Sequence, residues 1–317
     1  MVIVGDQALS EHDRELFALL RIDGDLLTCA GVRRVTDAEA RECYGITGVG
    51  DMAGIVFPYP ELERGDRVTA RLRRDHPEIG PDGKPERKYV SPHGDNRHLY
   101  FPPGAGALLV DPAVPVVFVE AEKSSLAITA LMTRTSRRSL AIATGGCGSW
   151  RGKVGIKTTA NGGREEERWP LSDLSLISWE QERQAIIFFD SNTATNPAVR
   201  VARWTFAQYL AAVGAKVLFA DIPHDSGANG PDDLVAVAGD EAVLALLDTA
   251  RPFPEQAEQE AQAAVAALSK SCDLETRDLA LDAISRVEDL AHQSVLAERA
   301  AKALDERSKK RSNSKSA

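Results

Sequence analysis

Carboxylates in this sequence stand at the ends of apolar runs. Gln184 to Pro197 reads QAIIFFDSNTATNP, and its apolar run stops abruptly at Asp190-Ser191-Asn192. Pro115 to Ile128 reads PVVFVEAEKSSLAI and stops the same way at Glu120, while a further acidic pair, Asp232-Asp233, follows the loop HDSGANGP. Two carboxylates at neighbouring strand ends repel unless a positive charge lies between them, and a hard divalent cation, Mg2+ or Mn2+, meets that need with oxygen ligands. Such a centre activates a hydroxyl, stabilises a leaving oxygen and holds a phosphodiester in line. The plainer reading is that Asp190 and Asp232 are helix N-caps. Three strand ends in register are harder to explain that way.

The elements that must hold these acids follow from the same runs. Ala185 to Phe189 reads as a strand buried on both faces, and its acid falls at the carboxyl edge, where open α/β sheets place their chemistry. From Pro112 onward strands and helices alternate: a strand at 115–120, a helix at about 122–134, the strand SLAIAT at 139–144, a strand at 185–190, a helix from Pro197 to Val213, a strand at 215–223 and a helix near Asp232. That alternation implies a parallel sheet flanked by helices. Gly145-Gly146 marks a tight turn after its strand. Residues 150–183 show no comparable pattern beyond a turn at Asn161-Gly162-Gly163.

Ahead of the sheet, GIVFPY, RVTARLRR, RKYVSP and HLYFPP are short β-branched and aromatic segments split by Gly, Pro and Asp, which predicts a β-rich subdomain at 49–110. Arg71, Arg73, Arg74, Arg87, Lys88 and Arg97 concentrate there, and strand alternation puts Arg71 and Arg73 on one face. That face either grips phosphates or is a solvated face paired with Asp75, Glu78 and Glu86. Residues 1–48 form a helical region, with capping patterns at Ser10 to Asp13 and Thr36 to Glu39. Beyond residue 254, Val265, Leu268, Leu279, Ile284, Val287 and Leu290 recur at helical spacing, packing on the core or meeting a partner; the end is basic, Ser-rich and expected to be partly disordered.

Composition removes several classes. With 43% hydrophobic and 27% charged residues the 317-residue chain is an ordinary soluble globular protein. A net charge of −9 argues against a surface coated in nucleic acid, though not against a local basic channel. No apolar run approaches the roughly 20 residues that span a bilayer, and the N-terminus lacks a signal-peptide pattern, so no membrane partner and a cytoplasmic location are expected. Cys29, Cys43, Cys147 and Cys272 form no CxxC pair and no zinc spacing. Gly152-Lys153 has neither the spacing nor the hydroxyl of a P-loop, and neither GxGxxG nor a GxSxG elbow is present.

VEAEKSSLAI, IIFFDSN and NGPDDLV resemble, in order, the three signatures of a Toprim domain, the metal-binding module shared by primases, topoisomerases and some nucleases. GIVFPY, the Arg-rich strand, RKYVSP and LYFPP are similar in order and spacing to the strands preceding that module in the catalytic core of bacterial replicative primases. The resemblance covers about Gly54 to Ala250 and is of the divergent type carried by phage and plasmid replication proteins. It implies a Toprim-like parallel sheet at 111–253, between the β-rich primase-core-like subdomain and a helical, basic tail at 254–317. It implies Glu120 as metal ligand or general base and Asp190 as the first aspartate, with Asp232 or Asp233 as the later acid. Asn192 stands at the position of the second aspartate, a weaker neutral donor. Arg71, Arg73, Arg87, Lys88 and Lys123 would hold template or nucleotide. The implied activity is Mg2+-dependent, primase-like nucleotidyl transfer on a single-stranded DNA or RNA/DNA template in replication of a mobile element, with a replicative helicase or other replication protein meeting the C-terminal helices. Three departures stand out: Asn192, the long insertion between Glu120 and Asp190, and the lack of a zinc module. They keep open a non-catalytic nucleic-acid-binding or scaffold subunit on a degenerate Toprim fold, and a Toprim-type nuclease.

Overall fold

Local capping starts the chain. Helix α1 (Glu11–Leu19) begins where Ser10 accepts from the Asp13 N–H at 3.1 Å and Asp13 accepts from the Ser10 N–H at 3.0 Å. After α2 (Gly24–Cys29) and strand β1 (Arg33–Val35), helix α3 (Asp37–Tyr44) repeats the device with Thr36 and Glu39. Strand β1 then edges an antiparallel sheet of order β1-β2-β3-β4, with β2 (Gly54–Pro60), β3 (Arg67–Arg74) and β4 (Tyr89–Val90). Its core is Val35, Ala40, Tyr44, Ile46, Met52, Val56, Ala70 and Leu72. Along β3, Leu72 and Arg74 are buried while Arg71 and Arg73 share the other, part-exposed face. HLYFPP contributes no strand to this sheet: Tyr100 forms an isolated bridge to Ala143 instead, because the prolines behind it remove the donors a longer ladder needs.

The computed structural model describes residues 8–62, 67–81, 83–158, 163–268, 272–287 and 290–313. The chain divides into two compact units, Met1–Lys216 with Ala220–Thr249, and Val217–Phe219 with Ala250–Ala317. The first unit continues through α4 (Ala105–Leu109) into β5 (Val116–Val119), α5 (Glu122–Arg134) and β6 (Leu140–Ala143). A hairpin of β7 (Arg151–Thr158) and β8 (Arg164–Pro170) follows, where the sequence showed no pattern; the turn expected at Asn161-Gly162-Gly163 falls largely outside the described residues. Then come β9 (Gln184–Ile187), α6 (Pro197–Ala212), α7 (Pro231–Ala238) and α8 (Asp240–Asp248).

Strand β5 is paired in parallel with β6 on one side and β9 on the other, and its four residues are fully buried. Apolar side chains on both faces of these strands, and Leu126, Ala127, Ile128 and Leu131 of α5, fill the core of this sheet. The register sets Val119 opposite Ala143 and Phe118 opposite Ile187, so the carboxyl ends finish level. Glu120 and Asp190 leave that edge together.

The second unit holds most of β10 (Lys216–Phe219), paired antiparallel with β11 (Arg251–Pro252), and three helices, α9 (Phe253–Ala267), α10 (Leu274–Ser285) and α11 (Leu290–Asn313). Val265, Leu268, Ala280, Ile284, Val287 and Leu296 pack together there, so the apolar period found in the sequence builds this unit's own core. The side chain of Leu290 lies outside the described residues. Helix α11 continues to Asn313, through most of the basic stretch expected to be disordered; its Ala, Leu, Glu, Lys and Arg residues are good helix formers. Among the described residues no helix is long and apolar enough to cross a membrane.

Candidate functional site

Backbone amides gather the acids at the carboxyl edge of the parallel sheet. Glu120 accepts from the Cys147 N–H at 3.0 Å and from the Asp190 N–H at 3.3 Å, so one carboxylate ties the turn after β6 to the end of the β9 run. Asp190 in turn accepts from Asn229 Nδ2 at 2.8 Å. The approach of the third acid is shown by Gly230. A Cβ there would stand 3.0 Å from Asp190 Oδ1 and 2.9 Å from Asp232 Oδ1, so the backbone passes close between the two carboxylates and a side chain would have to displace them. Asp232 is 1% exposed and accepts from Ser124 Oγ and Lys123 Nζ.

Burial, with Glu120 and Asp232 close by, pushes the Asp190 carboxyl up to about 7, against weaker pulls from Asn229 and Lys123. Burial likewise raises Glu120, opposed by the two amides it accepts from. The N-cap reading holds for neither acid it named, since Asp232 accepts from Lys123 and Ser124. The Asp190 side chain caps nothing, although it precedes the 3-10 turn Ser191–Ala194, whereas Asp233 accepts from the Gly230 N–H at 3.1 Å and fixes the first turn of α7. Asn192 is exposed on that 3-10 turn, and among the described contacts its side chain makes no hydrogen bond to the acids.

A group of oxygen donors with more negative charge than local compensation suits a hard divalent cation. Among the described residues no three His, Cys, Asp or Glu form a ready cage for a metal. A Mg2+ site of the kind proposed would instead take one or two carboxylates and complete its shell with waters and substrate phosphates. Glu120 and Asp190 fit that role. Asp232 is held by Lys123, whose ammonium also lies 3.5 Å from Asp233; burial pulls Lys123 down, but the two aspartates outweigh it and raise it.

The basic residues gather beside the acids, with one exception. Burial lowers Lys88, and the nearby charges of Arg73 and Lys123 lower it further. Arg71 sits 4.6 Å over the Tyr89 ring and pairs with Glu122 at 3.2 Å. Arg87 is exposed and takes a positive φ of 47°. Two of the three acids suspected of neutralising this face turn elsewhere: Glu78 is paired with Arg74 at 2.6 Å, and Asp75 with Arg34. Arg71, Tyr89, Arg97, Thr144, Gly145 and Ser149 line a cleft of about 330 Å³.

A family model described as a domain of unknown function, DUF3854, matches residues 107–242. No curated protein matches the chain. Among solved structures, the RNA polymerase domain of Mycobacterium tuberculosis primase DnaG superposes with a TM-score of 0.53 at 17% identity, covering 91% of this chain and 90% of that one. This chain has the fold of a bacterial primase catalytic core. The same mycobacterial domain in complex with double-stranded DNA gives 0.53 at 20% identity, covering 91% and 89%. The zinc-binding and RNA polymerase domains of the Aquifex aeolicus primase give 0.51 at 14% identity; 92% of this chain is covered, but it spans only 66% of that chain.

Several residues of the primase-like body went unread in the sequence. Glu122, two positions after Glu120, is 1% exposed and accepts from the Tyr59 hydroxyl at 2.5 Å as well as from Arg71, while its Oε2 is buried without a partner. It links α5 to two strands of the antiparallel sheet. Asn229 and Gly230 fall within the NGPDDLV signature, which by itself assigns them no role beside the acids. The signal for Gly230 was its place directly before Pro-Asp-Asp; for Glu122 there was none beyond its neighbours.

Proposed function

We propose that the chain is a Toprim-like, Mg2+-dependent enzyme of nucleic acid that performs primase-like nucleotidyl transfer. The observation that carries this reading is the placement of Glu120 and Asp190, two half-buried carboxylates at one sheet edge and both raised by desolvation, near the basic residues Arg71, Arg73, Lys88 and Lys123. The primase-core fold supports it, as does the mycobacterial relative seen with double-stranded DNA. Glu120 and Asp190 would hold the cation, with Asp232 joining if Lys123 gives way; when bound, the cation supplies Lewis-acid activation of a hydroxyl and neutralises phosphate charge. Arg71, Arg73 and Lys88 orient the phosphates of template or incoming nucleotide. Residues 49–110 and 111–253 make up the catalytic body in this reading, and a replicative helicase of a phage or plasmid meets residues 254–317. Failure of purified helicase to co-elute with the chain would remove that last partner.

Primer synthesis on single-stranded DNA with nucleoside triphosphates and Mg2+ tests the activity. The wild type should extend primers, and Glu120→Gln should lose on the order of a hundred-fold or more in rate. Equal background product from both ends the enzymatic reading.

One observation favours a non-catalytic binding subunit: the Lys123 ammonium already occupies the gap between Asp232 and Asp233, and Asn192 offers no charge. Calorimetric titration separates the two readings, since a site that takes up no Mg2+ or Mn2+ at millimolar concentration is a binding site alone.

A further inference from the structure

The insertion between Glu120 and Asp190 is a two-stranded ribbon with a fixed root and a free blade. At the root, Trp150 is 3% exposed and stacks on Phe206 at 4.9 Å and Tyr209 at 5.4 Å, both on α6. Leu171 closes the root by donating its N–H to the Trp150 carbonyl at 2.9 Å. Ser149, one residue earlier, lines the basic cleft and accepts from Arg97 Nη1 at 2.8 Å. The ribbon therefore springs from the rim of that cleft.

Its two faces differ in charge. The register pairs Arg151 with Pro170, Lys153 with Arg168, Ile156 with Glu166 and Thr158 with Arg164, and directly paired residues share a face. One face thus carries Arg151, Lys153, Arg164 and Arg168 against a single acid, Glu166, which bridges Lys153 at 3.1 Å and Arg168 at 2.6 Å. Same-face residues recur about 6.8 Å apart along a strand, so the cations form a row rather than a point. The opposite face holds Trp169, 61% exposed, whose indole N–H donates to Glu167 at 3.3 Å. Burial and the charges of Arg168 and Arg71 lower Arg97, which puts the row and the cleft in one positive field.

We propose that the β7–β8 ribbon is an accessory arm whose Arg151–Lys153–Arg164–Arg168 face grips the phosphate backbone of a single strand of nucleic acid entering the Arg71–Arg97 cleft. It rests on the reading of the chain as a nucleic-acid enzyme and adds the surface that tracks the template. A single strand is the occupant because a narrow row of cations leading into a cleft of about 330 Å³ matches one backbone better than a duplex.

Fluorescence anisotropy of a labelled oligo-dT against the full chain, over a series of salt concentrations, decides it. The triple variant Lys153→Ala, Arg164→Ala, Arg168→Ala should bind about ten-fold or more weakly at low salt. Its log–log salt slope should flatten by about 2, at about 0.7 for each phosphate no longer neutralised. Trp169→Ala, on the other face, should bind as the wild type does, and a circular dichroism melt shows that each variant is folded. A triple variant with the affinity and slope of the wild type overturns the arm and leaves the central site standing. So does an equal loss on a blunt duplex bound as tightly as the single strand. A wild type that binds no oligo-dT overturns both the arm and the function on which it rests.

Discussion

Two aspartates in this molecule are driven in opposite directions. Asp13, on α1, is buried, and Asp190, at the sheet edge, is half-buried. For Asp13 burial raises the carboxyl, but hydrogen bonds from Arg34 and Ser10 outweigh it and hold it at about 2. For Asp190 burial, Glu120 and Asp232 act together and lift it to about 7. Arg34 meets Asp13 at 2.6 Å and bridges onward to Asp75, so that corner is an ion network closed within the protein. The sheet edge is left open. The protein places an arginine beside Asp13 but leaves Glu120, Asp190 and Asp232 with Lys123 as the nearby cation, and the proposed metal site rests on that shortfall of positive charge.

Glu122 sharpens the contrast, because it lies two residues from Glu120 and yet belongs with Asp13. It is buried and answered by Arg71 and Tyr59. Removing one partner of a buried ion pair strands the other, at a cost of about 3–5 kcal/mol. Arg71→Met should therefore lower stability by about that much, read from the urea transition, and should weaken oligonucleotide binding at the cleft as well. A variant as stable as the wild type would place Glu122 with the open acids instead.

The next pair of variants tests the contrast itself. Asp13→Asn should destabilise by about 2 kcal/mol at neutral pH, since a tenfold change in proton affinity corresponds to about 1.4 kcal/mol. Asp190→Asn should stabilise the metal-free protein by about 1–2 kcal/mol at pH 8. The pH dependences run oppositely. Asp13 is lowered, so its contribution is present above its unfolded value of 3.8 and is lost as pH falls through about 2. Asp190 is raised, so the protonated carboxyl favours the fold below 3.8 and that advantage is lost as pH rises through about 7. Chemical denaturation of wild type and both variants in EDTA, across pH, checks the signs. Loss of stability in both variants would mean the sheet-edge acids are compensated after all.

How much of this was legible in the sequence depended on distance along the chain. Glu120 and Asp190 were readable because each ends a short apolar run, and the register of β5 with β6 and β9 delivers both to one edge. Glu122 was not, because what distinguishes it from Lys123 is supplied by Tyr59 and Arg71, 63 and 51 residues earlier. The β7–β8 ribbon escaped for another reason. Its blade is solvated on both faces, with Val154 58% and Ile156 56% exposed, so no buried side imposes the alternation by which a strand is recognised. The expected strand at HLYFPP failed because its aromatic residues serve burial: Tyr100 is 1% exposed and packs at 5.2 Å against Tyr59 while making a single bridge.

The smallest effect separates neighbours that sequence alone leaves equivalent. Asp232 and Asp233 are adjacent acids in one turn of α7. Asp232 is buried beside Asp190, whereas Asp233 accepts from the Gly230 N–H and stands partly in solvent. Losing a first-turn cap of this kind costs about 1 kcal/mol, so Asp233→Ala should shift the urea midpoint slightly and leave calorimetric Mg2+ affinity unchanged. Asp232→Asn should do the reverse where it counts: Lys123 loses its buried counter-charge, and Mg2+ affinity changes measurably. If Asp233→Ala abolishes Mg2+ uptake while Asp232→Asn leaves it intact, the roles are exchanged. Lys123 would then be the permanent partner of Asp232, a closed pair like Arg34 with Asp13, and the open part of the edge would be Glu120, Asp190 and Asp233.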